Sequence, residues 1–190
     1  MKKRAIIGII ISAVIYLLLF VLGAASGAIH PACYAYAGTI MPVLFAFLYL
    51  YTASNMKCFG AATALNGFAL VIAFVAGEGN LTFASIMLIL TILSEILRSV
   101  FRYDTRKGVM WSFIPFAFSF YAYTFHWWTE TSESLEEAVE IMPSGYADKM
   151  ETVINNIPAL LVALVLVIPV AFLGMKLAQR VMKKSTAQLV

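Results

Sequence analysis

The side chains best suited to binding a ligand lie in residues 108–128, a stretch without Asp, Glu, Lys or Arg that is long enough to cross a bilayer. At 100° per residue, aromatic rings cover one face of a helix here, and small or polar side chains form a strip beside them. The aromatic face consists of Phe113, Phe116, Phe120, Tyr123 and Trp127, and the strip consists of Ser112, Pro115, Ser119, Ala122 and His126. This pattern predicts one wall of a ligand-binding site, with His126 at its outer end.

The two histidines, His30 and His126, are both predicted to lie at the outer face of the membrane. Two imidazoles on one rim could bind a metal ion, a haem iron or an anionic ligand. Their spacing matches no metal-binding motif, so the alternative is that they belong to the aromatic belt at the membrane interface. With the rim residues added, the predicted ligand-binding set consists of His30, Tyr34, Tyr36, Glu78, Phe116, Ser119, Phe120, Tyr123, His126 and Trp127.

One carboxylate, Glu95, falls inside a predicted span, close to its cytoplasmic end. Intramembrane carboxylates are costly and are usually paired or functional. Arg98 lies one turn further along the same face, so a structural ion pair is the favoured interpretation and proton coupling is the alternative. Asn66, in the middle of another predicted span, is expected to form an interhelical hydrogen bond.

Several classes of protein are disfavoured because their motifs are missing from the sequence. The chain has no GxxxxGK[ST] phosphate loop, no HExxH zinc motif and no GxSxG nucleophile elbow, so we predict that it is not an enzyme. Any uphill transport must then draw energy from another subunit or from an ion gradient. The sequence has no basic stretch interleaved with aromatic residues, so nucleic acid is not expected as a partner. Cys33 and Cys58 lie at opposite ends of one predicted span, so two free thiols are expected.

The composition predicts an all-α integral membrane protein with a single domain, residues 1–190. The chain is 62% hydrophobic and 12% charged, whereas an average soluble domain has about 25% charged residues. Six apolar stretches predict a bundle of six transmembrane helices, at residues 5–29, 34–53, 58–77, 81–100, 108–128 and 157–177. The first stretch is longer than the core of a cleaved signal peptide, which is the alternative interpretation for it.

The basic residues indicate how such a bundle is oriented. All of the 13 Lys and Arg residues except Lys149 are predicted to lie on the same side of the membrane. The positive-inside rule then places both termini in the cytoplasm. In this topology the acidic loop 129–156 lies outside, and helical spacing within it predicts two short amphipathic helices that form an extracellular lid between the fifth and sixth spans. A solvated surface helix is the alternative.

The chain resembles the substrate-binding (S) components of energy-coupling factor (ECF) transporters and, more narrowly, the Trep/Strep, or MptD-like, family. The resemblance rests on the long acidic outer loop and on short motifs at the ends of the predicted spans. These motifs are His30-Pro31, the run Ser94–Arg98, Lys107-Gly108, Tyr146 and Lys183-Lys184.

The resemblance implies a division of labour between subunits in the bacterial cytoplasmic membrane. The multi-pass S component captures a small nutrient, such as a vitamin-like compound, a metal ion or haem, at its extracellular face. It then docks on a transmembrane coupling subunit that two ATPase subunits drive, and Gly8, Ser12 and Ala13 stand at places comparable to the docking pattern of related first spans. The resemblance implies no intrinsic cofactor, since haem or a metal would be cargo. A stand-alone ion-coupled secondary transporter is the alternative, followed by a membrane enzyme or assembly factor.

Overall fold

The computed structural model describes residues 3–187 and 189, and the secondary structure of this part of the chain is helical, without a β-strand. The predicted all-α class is confirmed. Lys2, which contributes to the predicted basic start of the chain, lies outside the described residues.

Helical segments of very different lengths make up the fold. In chain order they are α1 (Lys3–Ala25), α2 (Pro31–Tyr36), α3 (Pro42–Asn55), α4 (Ala61–Val75), α5 (Leu81–Val100), α6 (Arg106–Ala117), α7 (Ser119–Thr124), α8 (His126–Thr129), α9 (Thr131–Ile141), α10 (Tyr146–Ile154), α11 (Ile157–Val181) and α12 (Lys183–Thr186).

Three of these helices, α1, α5 and α11, are long and apolar enough to cross a membrane. A fourth candidate is a bent pair, Pro31–Thr39 with Pro42–Asn55, whose two parts meet at an angle of 42°. Proline at the start of α3 explains the bend, because it lacks the N–H that a continuous helix would use there. The structure therefore contains three candidate spans, or four if the bent pair is one span, where the sequence predicted six.

The third predicted span, residues 58–77, is shorter in the structure. Helix α4 has 15 residues, which is about 22 Å at 1.5 Å per residue. Gly60 before it has φ of 120° and Gly77 after it has φ of 83°. Both values favour glycine over residues with a Cβ, so each glycine fits a turn and marks an end of the helix.

The fifth predicted span, residues 108–128, is divided into α6, α7 and α8 rather than forming one helix. The breaks fall at Phe118 and Phe125. Beside each break a side chain bonds with the backbone carbonyl three residues earlier: Ser119 Oγ donates to Phe116 O at 2.6 Å, and His126 Nδ1 lies 3.0 Å from Tyr123 O. Such bonds compete with the helical backbone ladder, which accounts for the position of the breaks.

A buried polar network joins four helices in the centre of the molecule. Tyr16 donates a hydrogen bond to Asn66 Oδ1 at 2.7 Å, and Ser119 Oγ lies 3.1 Å from the same oxygen. Asn66 Nδ2 donates to Thr91 Oγ1 at 2.9 Å. The predicted interhelical hydrogen bond of Asn66 is confirmed, and it connects α1, α4, α5 and α7.

Glu95 and Arg98 are both buried on α5 but do not pair with each other. Glu95 Oε1 accepts hydrogen bonds from the backbone N–H groups of Ala62 at 2.9 Å and Thr63 at 3.3 Å, at the start of α4. Arg98 donates to the backbone carbonyls of Ala53 and Met56 at the end of α3. The predicted ion pair between Glu95 and Arg98 is therefore wrong. Instead, Glu95 caps the positive N-terminal end of α4, and Arg98 caps the negative C-terminal end of α3.

Candidate functional site

A cavity of about 800 Å³ lies between the C-terminal halves of α1 and α4, the start of α5, helices α7 to α10, and α2. Its volume falls within the range of about 300–1,000 Å³ that is usual for small-molecule sites. Helices α9 and α10 belong to the acidic segment, which we define as residues 129–156. Both helices contribute side chains to the lining, so the acidic segment forms part of the cavity wall.

Aromatic rings form a buried to half-buried part of this wall. The Tyr123 ring lies 5.5 Å from Phe83 and 6.2 Å from Tyr34, measured between centroids, and Tyr34 lies 6.3 Å from Trp127. All three pairs meet edge to face, the favourable arrangement for rings with a negative face and a positive edge. The wall is therefore built from mutually supporting rings.

Carboxylates lie at the more exposed part of the cavity. Tyr123 donates a hydrogen bond to Glu78 Oε2 at 3.3 Å, and Thr82 donates to Glu130 Oε1. Glu133 and Glu137, one helical turn apart on α9, also line the cavity and are exposed. Carboxylates thus border the cavity from the α4–α5 turn on one side and from the acidic segment on the other.

His126 has a defined tautomer in this arrangement. Its Nδ1 atom lies 3.0 Å from the Tyr123 carbonyl oxygen, and a carbonyl oxygen can only accept a hydrogen bond. Nδ1 therefore carries the proton, which leaves Nε2 of the neutral ring as an acceptor. A neutral His126 can accept a hydrogen bond from a ligand.

Two side-chain hydrogen bonds join the C-terminal end of α10 to other helices. The Trp128 indole donates to Ile154 O at 3.1 Å, and the Tyr36 hydroxyl donates to Val153 O, also at 3.1 Å. Both acceptors lie in the last turn of α10. The C-terminal end of α10 is thereby fixed to α8 and to α2, beside the cavity.

Comparison with known proteins places the chain in a family. Residues 3–186 match the family described as "Hypothetical bacterial integral membrane protein (Trep_Strep)". The chain belongs to the Trep_Strep family. No curated protein and no solved structure matches it.

Family membership and the candidate spans together identify this Trep_Strep protein as a bacterial integral membrane protein. The match includes every residue that lines the cavity.

Half of the predicted ligand-binding set lines the cavity of this Trep_Strep protein. These residues are Tyr34, Glu78, Tyr123, His126 and Trp127. Their contact with a ligand stays a prediction, but the structure brings them together from three separate parts of the chain.

The other predicted residues lie outside the cavity lining. Phe116 and Ser119 are fully buried in the core, and Phe120 packs behind the lining with its ring 6.1 Å from that of Tyr123. Tyr36 bonds with α10, as described above. His30 accepts a hydrogen bond from the Ala32 N–H at 3.1 Å and caps the start of α2.

The structure does not bring the two histidines together as a ligand pair, because His30 is exposed and is not part of the lining. Among the described residues, no group of three or more His, Cys, Asp or Glu side chains could hold a metal ion. Cys33 and Cys58 are free thiols, as predicted, and both are exposed.

The residues predicted to dock a partner pack mainly inside the protein. Ser12 and Ala13 are each 5% exposed. Gly8 is half-buried against Tyr51, whose hydroxyl oxygen lies only 2.0 Å from where a Cβ on Gly8 would be. In this conformation the small residues of α1 therefore allow close packing against α3, and docking through them stays a prediction.

Sequence reasoning missed several residues of the cavity. These are Phe20, Phe83, Glu130, Glu133, Glu137 and Tyr146. The spacing of the three glutamates, at i, i+3 and i+7, places them on one face of a helix and could have singled them out. Phe83 has no such signal, because it is the single aromatic residue of α5, and Phe20 is accompanied only by Tyr16 one turn earlier on α1.

Proposed function

We propose that this Trep_Strep protein is the S component of an ECF-type importer, which captures a small nutrient and delivers it through a separate coupling subunit. The observation that carries the proposal is the cavity, which has the size of a small-molecule site, an aromatic wall and two short helices that contribute to its lining. Motifs for ATP hydrolysis are missing from the sequence. In this proposal the chain itself catalyses no reaction, and two ATPase subunits supply the energy.

The proposal includes six membrane crossings with both termini in the cytoplasm and the acidic segment outside as a lid. Helices α6 to α8, residues 106–129, would together form the fifth crossing, because they extend about 36 Å at 1.5 Å per residue. Helix α4 would be a short crossing, which a bilayer accommodates by local thinning. Breaks within the fifth crossing are tolerable because protein covers them.

The proposed docking surface on the coupling subunit includes Gly8 and the residues beside it on α1. Ile7 and Ile11, one turn apart, are about half exposed, and Gly8 lies next to them. A small residue between two aliphatic side chains allows another helix to approach closely. Ser12 and Ala13 would stay inside the protein in this arrangement.

Co-purification tests the proposal directly. We expect the tagged protein, purified from a native-like host, to carry a small organic ligand detectable by mass spectrometry and to retain a coupling subunit and two ATPases. Tyr123→Ala should reduce the retained ligand about tenfold or more, because it removes a lining ring. Tyr103→Ala is the control, because Tyr103 lies in the α5–α6 turn outside the lining. It should leave the amount of retained ligand unchanged. Absence of both ligand and subunits would contradict the proposal.

A stand-alone ion-coupled carrier is the second candidate, because Glu95 Oε2 is buried without a hydrogen-bond partner. An intramembrane carboxylate of this kind can carry a coupling proton. Uptake into proteoliposomes that contain this chain alone, lost in Glu95→Gln, would support the carrier. Uptake only after addition of the coupling subunit and ATPases would support the S component.

A further inference from the structure

Carboxylates without cationic partners border the cavity. Its lining includes Glu78, Glu130, Glu133 and Glu137, and none of the described lining residues is Lys or Arg. The salt bridge in the described structure joins Arg102 and Asp104, neither of which lines the cavity. The uncompensated charges give the cavity a negative potential, which attracts cations and repels anions.

Carboxylates and aromatic rings of the cavity lining differ in burial. Glu78, Glu133 and Glu137 are exposed, whereas Phe83 and Trp127 are buried. A ligand that matches this order has a charged group near the mouth and an apolar or aromatic body beneath it. The faces of the Tyr123 and Trp127 rings also attract a cation that lies over them.

Two buried donors in the lining provide an independent indication of a ligand. Trp127 is 5% exposed, and its indole Nε1 has no hydrogen-bond partner. The Tyr146 hydroxyl is also buried without a partner. Burial raises the pKa of this hydroxyl, so it stays protonated near neutral pH and remains a donor. Buried donors are usually satisfied in folded proteins, so a ligand with an acceptor atom would satisfy either donor once that side chain turns toward the cavity.

We infer that the cavity takes a small organic cation, with a protonated amine or quaternary nitrogen among the glutamates and a flat apolar body against Tyr123 and Trp127. This inference rests on the proposed function and names its substrate class. Haem fits less well, because its anionic propionates would meet the glutamates and because only His126 of the two histidines lines the cavity. A bare metal ion lacks a ligand set among the described residues.

A matched series of indole probes tests the sign of the charge. Tryptamine is cationic at neutral pH, indole-3-acetamide is neutral and indole-3-acetate is anionic, while all three share the same ring. We expect calorimetric titration of the full chain in lipid nanodiscs to show tryptamine binding, and the other two probes to bind at least about tenfold more weakly. Equal binding of all three, preference for the anion, or no binding of any at millimolar concentration would overturn the inference.

Two double variants of α9 distinguish the effect of the lining carboxylates on tryptamine affinity from the effect of the net charge of the helix. Glu133→Gln with Glu137→Gln removes two lining carboxylates and should weaken tryptamine binding about tenfold. Glu136→Gln with Glu140→Gln changes the net charge of the same helix equally but affects residues outside the lining, so it should leave the affinity unchanged. Equal effects of the two double variants would overturn the inference.

The ligand that co-purifies with the wild-type protein distinguishes this inference from the proposed function. A cationic ligand together with the coupling subunit supports both. An anionic or neutral organic ligand overturns the cation assignment but leaves nutrient capture standing. A cationic ligand on a chain that binds no coupling subunit contradicts the S-component assignment but supports the charge preference of the cavity.

Discussion

Glu95 and Arg98 show how charged residues are stabilised inside an apolar bundle. Both project from α5, and together they hold the connection between α3 and α4: Arg98 at the carbonyl end of one helix and Glu95 at the N–H end of the next. Helix dipoles place partial negative and positive charge at these ends, so each side chain meets the opposite sign. The pair stabilises a turn between two neighbouring helices.

Substitution of Glu95 tests this capping role. Glu95→Ala leaves the Ala62 and Thr63 N–H groups unpaired and should lower the free energy of unfolding by about 1–2 kcal/mol. Glu95→Gln keeps a carbonyl oxygen in place and should lower it by less. Equilibrium unfolding in SDS measures both values, with Glu136→Ala on exposed α9 as the control. If the Gln and Ala variants are equally destabilised, charge rather than hydrogen bonding is responsible.

At the scale of elements, side chains of other helices bond with the C-terminal end of α10. The Trp128 and Tyr36 hydrogen bonds both end on α10, and α9 carries its charged residues on the exposed side. The free energy of local opening differs between parts of a structure, and opening of the end of α10 requires both of these bonds to break.

Removal of the two bonds should loosen α10. Each hydrogen bond contributes about 0.5–1.5 kcal/mol, so Tyr36→Phe combined with Trp128→Phe should speed hydrogen exchange of the amides in residues 146–154 several-fold. Tyr121→Phe is the control, because it removes the 2.7 Å hydrogen bond between the Tyr121 hydroxyl and Thr39 Oγ1, away from α10. It should leave exchange in α10 unchanged. Faster exchange in both variants would indicate general destabilisation rather than release of α10.

At the scale of the whole molecule, the two cysteines report the topology without any added residue. Cys33 lies on α2, and Cys58 lies in the turn before α4. Both are free and exposed. The bent pair formed by α2 and α3 runs between them, so the proposed topology places Cys33 outside and Cys58 in the cytoplasm.

Labelling of intact cells with a membrane-impermeant maleimide tests this arrangement. Cys58→Ser, which retains Cys33, should be labelled, and Cys33→Ser, which retains Cys58, should be labelled only after the membrane is permeabilised. The permeabilised sample is the control for reactivity. Labelling of Cys58 from outside the cell would contradict the proposed orientation.

The sequence by itself determined the class of the molecule and the positions of its three longest helices, α1, α5 and α11. Apolar runs and scarce charges are local properties, so the membrane class follows from them directly. The predicted span 81–100 coincides with α5 because Asn80 supplies a local start signal, accepting the Phe83 N–H at 2.7 Å. The two helices of the acidic segment were predictable for the same reason, since their amphipathic spacing is also local.

Only the tertiary structure decided which side chains meet. The aromatic face predicted for residues 108–128 assumed one straight helix, and the breaks at Phe118 and Phe125 turn Tyr123 and Trp127 toward the cavity while Phe116 stays in the core. Glu95 finds its backbone partners 33 and 32 residues away. Contacts across such separations depend on how the helices pack, and helical periodicity carries no information about packing partners.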